Sequence, residues 1–290
     1  MNINDSMLFR WVGYDIEYPD DANKPAPHRK PLSVEPKLTK KQGDTYFDYL
    51  DDALNPKRGL RVASYSEFDK VGGAEPSTDP KPCLFFTEQA AGTSERHWRL
   101  YGRLGFGFAK RFIFRLGGRP LIYTGGRNDP VVSAVTFLRK NAAGLYDKKG
   151  ELAKQHLELL ARFIKCTRLP RLETGKSKIG TGKIKPVFAP PCKLDILPND
   201  NFPDYNSIRF LSEREWRLPV NENDSIHWHK DTKSGNPEWW FRAELGMELQ
   251  LIILPSNYFL TRALELVRKR VGGKMAKPIQ LISAQVLQKL

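Results

Sequence analysis

An α+β fold of mixed, split β-sheets with flanking helices is what this chain predicts, on three observations. Strand-like and helix-like runs follow one another without the regular βαβ alternation of a doubly wound sheet. The composition, 40% hydrophobic and 28% charged, is that of an ordinary globular protein. A length of 290 residues is enough to bury a sizeable core. The chain reads as a single α+β domain over 1–290, with a Pro/Lys-rich arm at about 19–43 and a helical and loop insertion at about 145–205.

The elements follow in order. Met7 to Tyr18 alternates loosely between apolar and polar residues and predicts a strand carrying Arg10. The arm at 19–43 has little apolar content and includes His28-Arg29-Lys30. Thr45 to Leu54 predicts a short amphipathic helix and Arg61 to Phe68 a further short element, before a linker at Gly72–Pro82. Leu84-Phe85-Phe86 is a strand and Glu95 to Tyr101 a helix. Gly105 to Phe114 then alternates as a strand does, with Phe106, Phe108, Phe112 and Phe114 in matched parity.

Leu121 to Thr124 predicts another strand. A helix begins at Asp129-Pro130, a good cap followed by a good first residue, and stops near Gly144. A second helix is expected over Glu151–Cys166 and a Gly/Lys-rich loop over 171–187. Strands are expected at Phe210–Pro219, Trp239–Phe241, Leu249–Leu254 and Ile279–Leu287, with a helix over Phe259–Arg270.

Charge sets the class of partner. Lys and Arg number 47 against 33 Asp and Glu, a net +14 that predicts attraction to polyanions, nucleic acid first among them. The stretch from Arg99 to Asn128 concentrates this character: seven basic residues, no acidic one, and aromatics interleaved. Arg99, Arg103, Lys110, Arg111, Arg115 and Arg119 are the candidate nucleic-acid contacts. The same mixture also suits a half-buried basic sheet.

The three cysteines, Cys83, Cys166 and Cys192, are widely spaced and form no C-x-x-C pair. That points to a reducing compartment and away from a thiolate zinc site. No secretory leader pattern is visible, and the longest apolar run, around Leu249–Leu254, is far too short to span a bilayer. The expectation is a cytoplasmic protein with no membrane partner and no metal.

Four constellations could carry chemistry. On a strand through FLSEREWRLP, Glu213, Glu215 and Arg217 share a face, with Arg214 and Trp216 on the other. Two carboxylates so placed can divide the work of holding an acceptor and steadying a developing cation. They can equally be neutralised by Arg214 or Arg217 and serve structure alone. The turn Thr124-Gly125-Gly126-Arg127-Asn128 precedes a helix start and could meet an anion, but lacks the Lys-Ser/Thr pair of a P-loop. Gly102, Gly105 and Gly107 are in the wrong order for a dinucleotide fingerprint and suit a strand that bends or packs closely instead. His227 and His229 flank Trp228 with no third metal ligand nearby, and His97 is an isolated acid/base candidate.

The succession CLFFTE, HWRLYGRLGFGFAKRF, RPLIYTGG, LSEREWRLP and LQLIILP resembles the AbiGi-type proteins of bacterial abortive-infection systems. The likeness covers roughly residues 83–141 and 208–285. The layout is similar, more remotely, to ADP-ribosyltransferase folds of the DarT kind. That resemblance implies NAD as cofactor, with Arg10 and Thr87 toward it, Glu215 on the nicotinamide ribose and Glu213 orienting the acceptor. The middle strand departs from the pattern in having no Ser-Thr-Ser run. AbiGi proteins are named as the antitoxin half of a pair. The resemblance therefore implies anti-phage defence in two forms: an ADP-ribosyltransferase acting on nucleic acid, or a non-catalytic subunit binding nucleic acid, a cognate toxin or a defence-complex protein.

Overall fold

Every residue of LGFGFA, Leu104 to Ala109, is buried, as befits a strand inside its sheet, flanked on both sides. The computed structural model describes residues 7–21, 30–33, 37–65, 81–88, 95–124, 134–135, 137–138, 141, 160, 163–166, 214–232, 238–271 and 279–287. They show a mixed α+β architecture. The chain divides into two compact units, one formed by Met1–Tyr65, Pro80–Arg119 and Glu215–Leu290, the other by Ser66–Asp79 and Pro120–Arg214. The insertion expected at 145–205 falls within the second.

In the first unit the strands are β1 (Met7–Val12), β2 (Leu60–Arg61), β3 (Ala63–Tyr65), β4 (Lys81–Thr87) and β5 (Leu104–Ala109). The two-residue β6 (Arg119–Pro120) leads out of it, and β7 (Ile122–Thr124) and β8 (Ile164–Cys166) belong to the second unit. The first resumes with β9 (Glu215–Pro219), β10 (Trp228–Asp231), β11 (Glu238–Phe241), β12 (Leu249–Leu254) and β13 (Gln280–Ser283). Its helices are α1 (Tyr14–Glu17), α2 (Lys40–Leu54), α3 (Glu95–Tyr101), α4 (Lys110–Arg115), α5 (Leu260–Val271) and α6 (Ala284–Leu287).

The main sheet runs in the order β13-β12-β5-β1-β4-β9-β6, with β3 also paired to β4. From β12 to β9 the neighbouring strands are antiparallel, as are β3 and β4, whereas β12 and β13 are parallel and joined through α5. A separate antiparallel sheet has the order β10-β11-β2. One face of the main sheet buries Leu8, Leu84, Phe86, Phe106, Phe108, Trp216 and Leu218 under α2 and α5. The other buries Met7, Phe9, Trp11, Leu251 and Ile253 with Trp98 of α3. Gly105 allows this second layer to close, since a Cβ there would lie 2.7 Å from the Trp11 ring.

Helix α2 starts five residues before its expected position because Thr39 and Gln42 form a capping box. The Gln42 N–H donates to Thr39 Oγ1 at 3.2 Å, and the Thr39 N–H donates to Gln42 Oε1 at 2.9 Å. Tyr46, Phe47, Leu50 and Leu54 then recur at helical spacing on the buried face. Arg262 and Arg270 of α5 pair with Asp44 and Asp51 of α2, fixing the two helices side by side.

Five expectations are corrected. The strand expected over Met7–Tyr18 ends at Val12, and Tyr14–Glu17 is helix α1. The strand expected from Phe210 is found at Glu215–Pro219, with Arg214 before it at φ 42° and outside the strand. The strand expected over Gly105–Phe114 ends at Ala109, and Lys110–Arg115 is helix α4. On the helix Phe112 and Ile113 are buried, while Phe114, two positions and about 200° round the axis from Phe112, is exposed. Ile164–Cys166 is not the end of a helix but a strand, paired in parallel with Ile122–Thr124. The closing strand stops at Ser283 and α6 follows. The starts of the helices expected at Asp129 and Glu151, the loop at 171–187 and His28-Arg29 lie outside the described residues.

Candidate functional site

The register of the main sheet decides which predicted residues can meet. Residues directly opposite in an antiparallel pair project from one face. Thr87 on β4 stands opposite Glu215 on β9 and opposite Phe9 on β1. Phe85 stands opposite Arg217. Thr87, Glu215 and Arg217 therefore share a face, and all three are buried, at 4%, 9% and 1% exposure. Arg217 Nε donates to Glu215 Oε1 at 2.9 Å, and the Arg217 guanidinium lies 5.5 Å over the Phe85 ring. The Glu215 carboxylate is thus held in a buried ion pair with its second neighbour along the strand.

Arg10 goes to the opposite face. It stands opposite Phe106, whose ring lies among Leu8, Leu84 and Phe86. Its guanidinium donates to the Arg61 carbonyl at 3.1 Å and the Phe85 carbonyl at 3.4 Å, and burial pulls its pKa down to about 10. Two of the three positions implied for NAD, Thr87 and Glu215, are therefore neighbours, while Arg10 is across the sheet from them. Glu213 lies outside the described residues. Among the described residues no group of three or more His, Cys, Asp or Glu side chains could hold a metal ion.

The basic stretch separates into inside and outside. Arg103 is removed from the surface: it is 1% exposed, donates from Nε to Glu17 Oε1 at 2.8 Å and from Nη2 to the Ser33 carbonyl, and lies 4.9 Å over the Trp98 ring. Arg99 is half-buried, donating to the Leu32 carbonyl at 2.7 Å and pairing with Glu95 one turn earlier. Lys110 pairs with Glu88 and lies 5.1 Å over the Trp216 ring, whose Nε1–H donates to the same Glu88 at 2.8 Å. These three cations bind the chain to itself.

Arg111 and Arg115 differ. Both are exposed, one turn apart on α4, and neither has a carboxylate partner among the described residues. Phe114 lies between them and is 50% exposed. Arg119 reaches back from the following turn, its guanidinium 3.9 Å over the Phe114 ring and its Nη1 donating to the Phe114 and Gly118 carbonyls at 2.7 Å. The buried side of α4 explains this orientation: Phe112 packs 5.4 Å from the His227 ring and 6.2 Å from Phe241.

His227 belongs to a cluster with only a short local signal, Asp224 three residues before it. The ring Nδ1 is 2.8 Å from Asp224 Oδ2 and the ring Nε2 is 3.4 Å from Glu248 Oε1. Asp224 Oδ1 also accepts from the Ile226 and His227 N–H groups at 3.1 and 3.2 Å, closing the turn into β10. Burial pushes the Asp224 carboxyl up, but hydrogen bonds from the His227 ring and backbone, its charge and the Ile226 N–H together hold it below the ordinary aspartate value. A carboxyl depressed in the folded state contributes stability above its unfolded value and loses it as pH falls through the folded one. Asp224→Asn should therefore cost about 1–2 kcal/mol near neutrality, with the gap to wild type closing in acid. Urea unfolding of both proteins at a series of pH values reads this out. His229 lies on β10 and is exposed, while His97 is buried and stacks on Tyr101 at 5.9 Å.

No helix among the described residues is long and apolar enough to cross a membrane. Comparison with protein families, with curated proteins and with solved structures finds no match for this chain.

Proposed function

We propose that this chain is a nucleic-acid-binding component of bacterial anti-phage defence, of the AbiGi-like kind, acting through a basic surface rather than through catalysis. The observation that carries the reading is the exposed face of α4. Arg111 and Arg115 stand there without carboxylate partners among the described residues, beside Arg119, in a chain of net charge +14. The Glu215–Arg217 ion pair supports the same reading, because a carboxylate committed to a buried guanidinium is poorly placed to serve a substrate. A defence-complex protein, such as a cognate toxin, fits as the second partner of such a subunit.

Neutralising phosphates releases counterions, so affinity should fall steeply with salt. The double variant Arg111→Glu/Arg115→Glu should bind oligonucleotide at least about tenfold more weakly at ~0.1 M salt. Its plot of log affinity against log salt should be flatter by about 1.4–1.8, two contacts' worth. Fluorescence anisotropy across a salt series measures both. Unchanged affinity and slope would sink the reading.

The register of Thr87 against Glu215 favours a second reading, ADP-ribosyl transfer to nucleic acid with NAD as cofactor. A dinucleotide would then have to be held at that face without Arg10. Labelled NAD incubated with DNA, RNA and cell extract tests it against Glu215→Gln. Transfer by wild type and none by the variant would establish the enzyme. On the binding reading neither protein transfers label, and Glu215→Gln instead loses about 1–3 kcal/mol of stability as Arg217 loses its charged acceptor.

A further inference from the structure

We propose that the α4 surface takes single-stranded nucleic acid, with the Phe114 ring as a base-stacking platform and Arg111 and Arg115 on the flanking phosphates. The inference rests on the nucleic-acid reading above and goes further, to the form of the ligand and the residue that selects it.

Phe114 is an aromatic ring turned outward from a helix whose other aromatic, Phe112, is buried. Arg119 covers one side of the ring at 3.9 Å, and its hydrogen bonds to two backbone carbonyls keep it there. The guanidinium is thereby a fixed part of the platform. With that side occupied, the exposed half of the ring is left for a flat partner, and the cation beyond it strengthens a three-layer stack.

Arg111 and Arg115 lie three positions before and one position after Phe114. Residues three and four apart in a helix share a face, so Arg111 has both Phe114 and Arg115 as neighbours. The surface thus offers one ring for a base and two cations without carboxylate partners among the described residues for a backbone. Lys110, the adjoining cation, is committed to Glu88.

Duplex nucleic acid does not match this surface. Its bases present only their edges, because their faces are already stacked. The helix is six residues, about 9 Å, and is too short to lie along a major groove as a reading element. An unpaired strand has free base faces, and stacking on an aromatic side chain is tolerant of sequence.

The test compares a fluorescein-labelled single strand of about 16 nucleotides with the duplex of the same sequence. Both are titrated with wild type, Phe114→Ala, Phe114→Trp and the Arg111→Glu/Arg115→Glu variant. Polyglutamate serves as a competitor. Phe114 is exposed, so its variants should keep the wild-type melting temperature, which is checked in parallel. Wild type should prefer the single strand. Phe114→Ala should weaken that binding about 5- to 100-fold and leave duplex binding nearly unchanged, and Phe114→Trp should retain it.

Equal binding of strand and duplex, indifferent to Phe114→Ala but lost in the arginine variant, would overturn the stacking inference and leave the phosphate-binding function standing. Binding to neither nucleic acid would overturn both. Displacement of the strand by polyglutamate at equal charge concentration would point instead to an acidic protein surface as the occupant and would also overturn the inference.

Discussion

Arg103→Ala should lower the stability of the protein by about 3–5 kcal/mol, a large part of what a domain of this kind has. Arg103 comes from the same basic run as Arg111 and Arg115, yet its guanidinium is 1% exposed. It pairs with Glu17 at 2.8 Å, and Glu17 also accepts from the Tyr46 hydroxyl at 2.8 Å. Burial, and then the Glu17 charge, raise the Tyr46 hydroxyl well above its ordinary pKa, so the phenol stays a donor. Removing the guanidinium leaves a carboxylate with little water and no other counter-ion among the described residues, and strips the Ser33 carbonyl of this donor. The cost is that of an uncompensated buried charge, not the net worth of the pair. Arg103→Lys keeps the charge but lacks the planar fork that reaches both acceptors, and should fall between the two. Urea unfolding gives the stabilities, and anisotropy on the folded protein should show nucleic-acid affinity within about twofold of wild type. Weakened binding at unchanged stability would place Arg103 at the ligand instead.

Gly102→Ala should be at least as damaging, with an expected loss above about 4 kcal/mol. Gly102 follows α3 at φ +122°, and its N–H donates to the Trp98 carbonyl at 2.9 Å, as a residue closing a helix does. A Cβ at this position would lie 2.0 Å from the Val12 carbonyl oxygen and 2.5 Å from the Gly13 nitrogen. Those are backbone atoms of the turn from β1 into α1, so no side chain can swing aside. Gly117→Ala is the control. It has φ +97° but nothing within 4 Å of the added Cβ, so it should lose only about 1–2 kcal/mol of backbone strain. Thermal unfolding of the pair separates conformational strain from collision. Similar melting temperatures for the two variants would show that the β1–α3 approach is looser than described.

Local pattern carried a good deal of the fold. The helix at Glu95–Tyr101 and the strand at Leu249–Leu254 were legible to the residue, because each is set by its own spacing of apolar side chains. Glycines between aromatics in GRLGFGF were legible as close packing, which is what Gly105 provides. The strand read across Gly105–Phe114 failed because the even parity of Phe106, Phe108, Phe112 and Phe114 fits period two, whereas from Lys110 the chain is helical and puts Phe112 and Phe114 on opposite sides. Burial of Phe112 against His227 and Phe241, residues far along the chain, decides for the helix.

The candidate site was less legible, for a reason visible in the cations. The partner of Arg99 lies one helical turn away and can be read locally, but Glu88 is 22 positions from Lys110 and Glu17 is 86 positions from Arg103. Strand neighbours obey the same limit. Alternation tells that Thr87 and Glu215 each lie on one face of a strand, but only the pairing of β4 with β9 makes them opposite, and only the β1 register turns Arg10 away. By itself, then, the sequence determined the α+β class, the amphipathic elements and the excess of positive charge, all of which depend on residue type and short-range spacing. Tertiary structure alone decided which arginines are neutralised inside and which stand bare on α4, because charge pairing follows distance in space and not position along the chain.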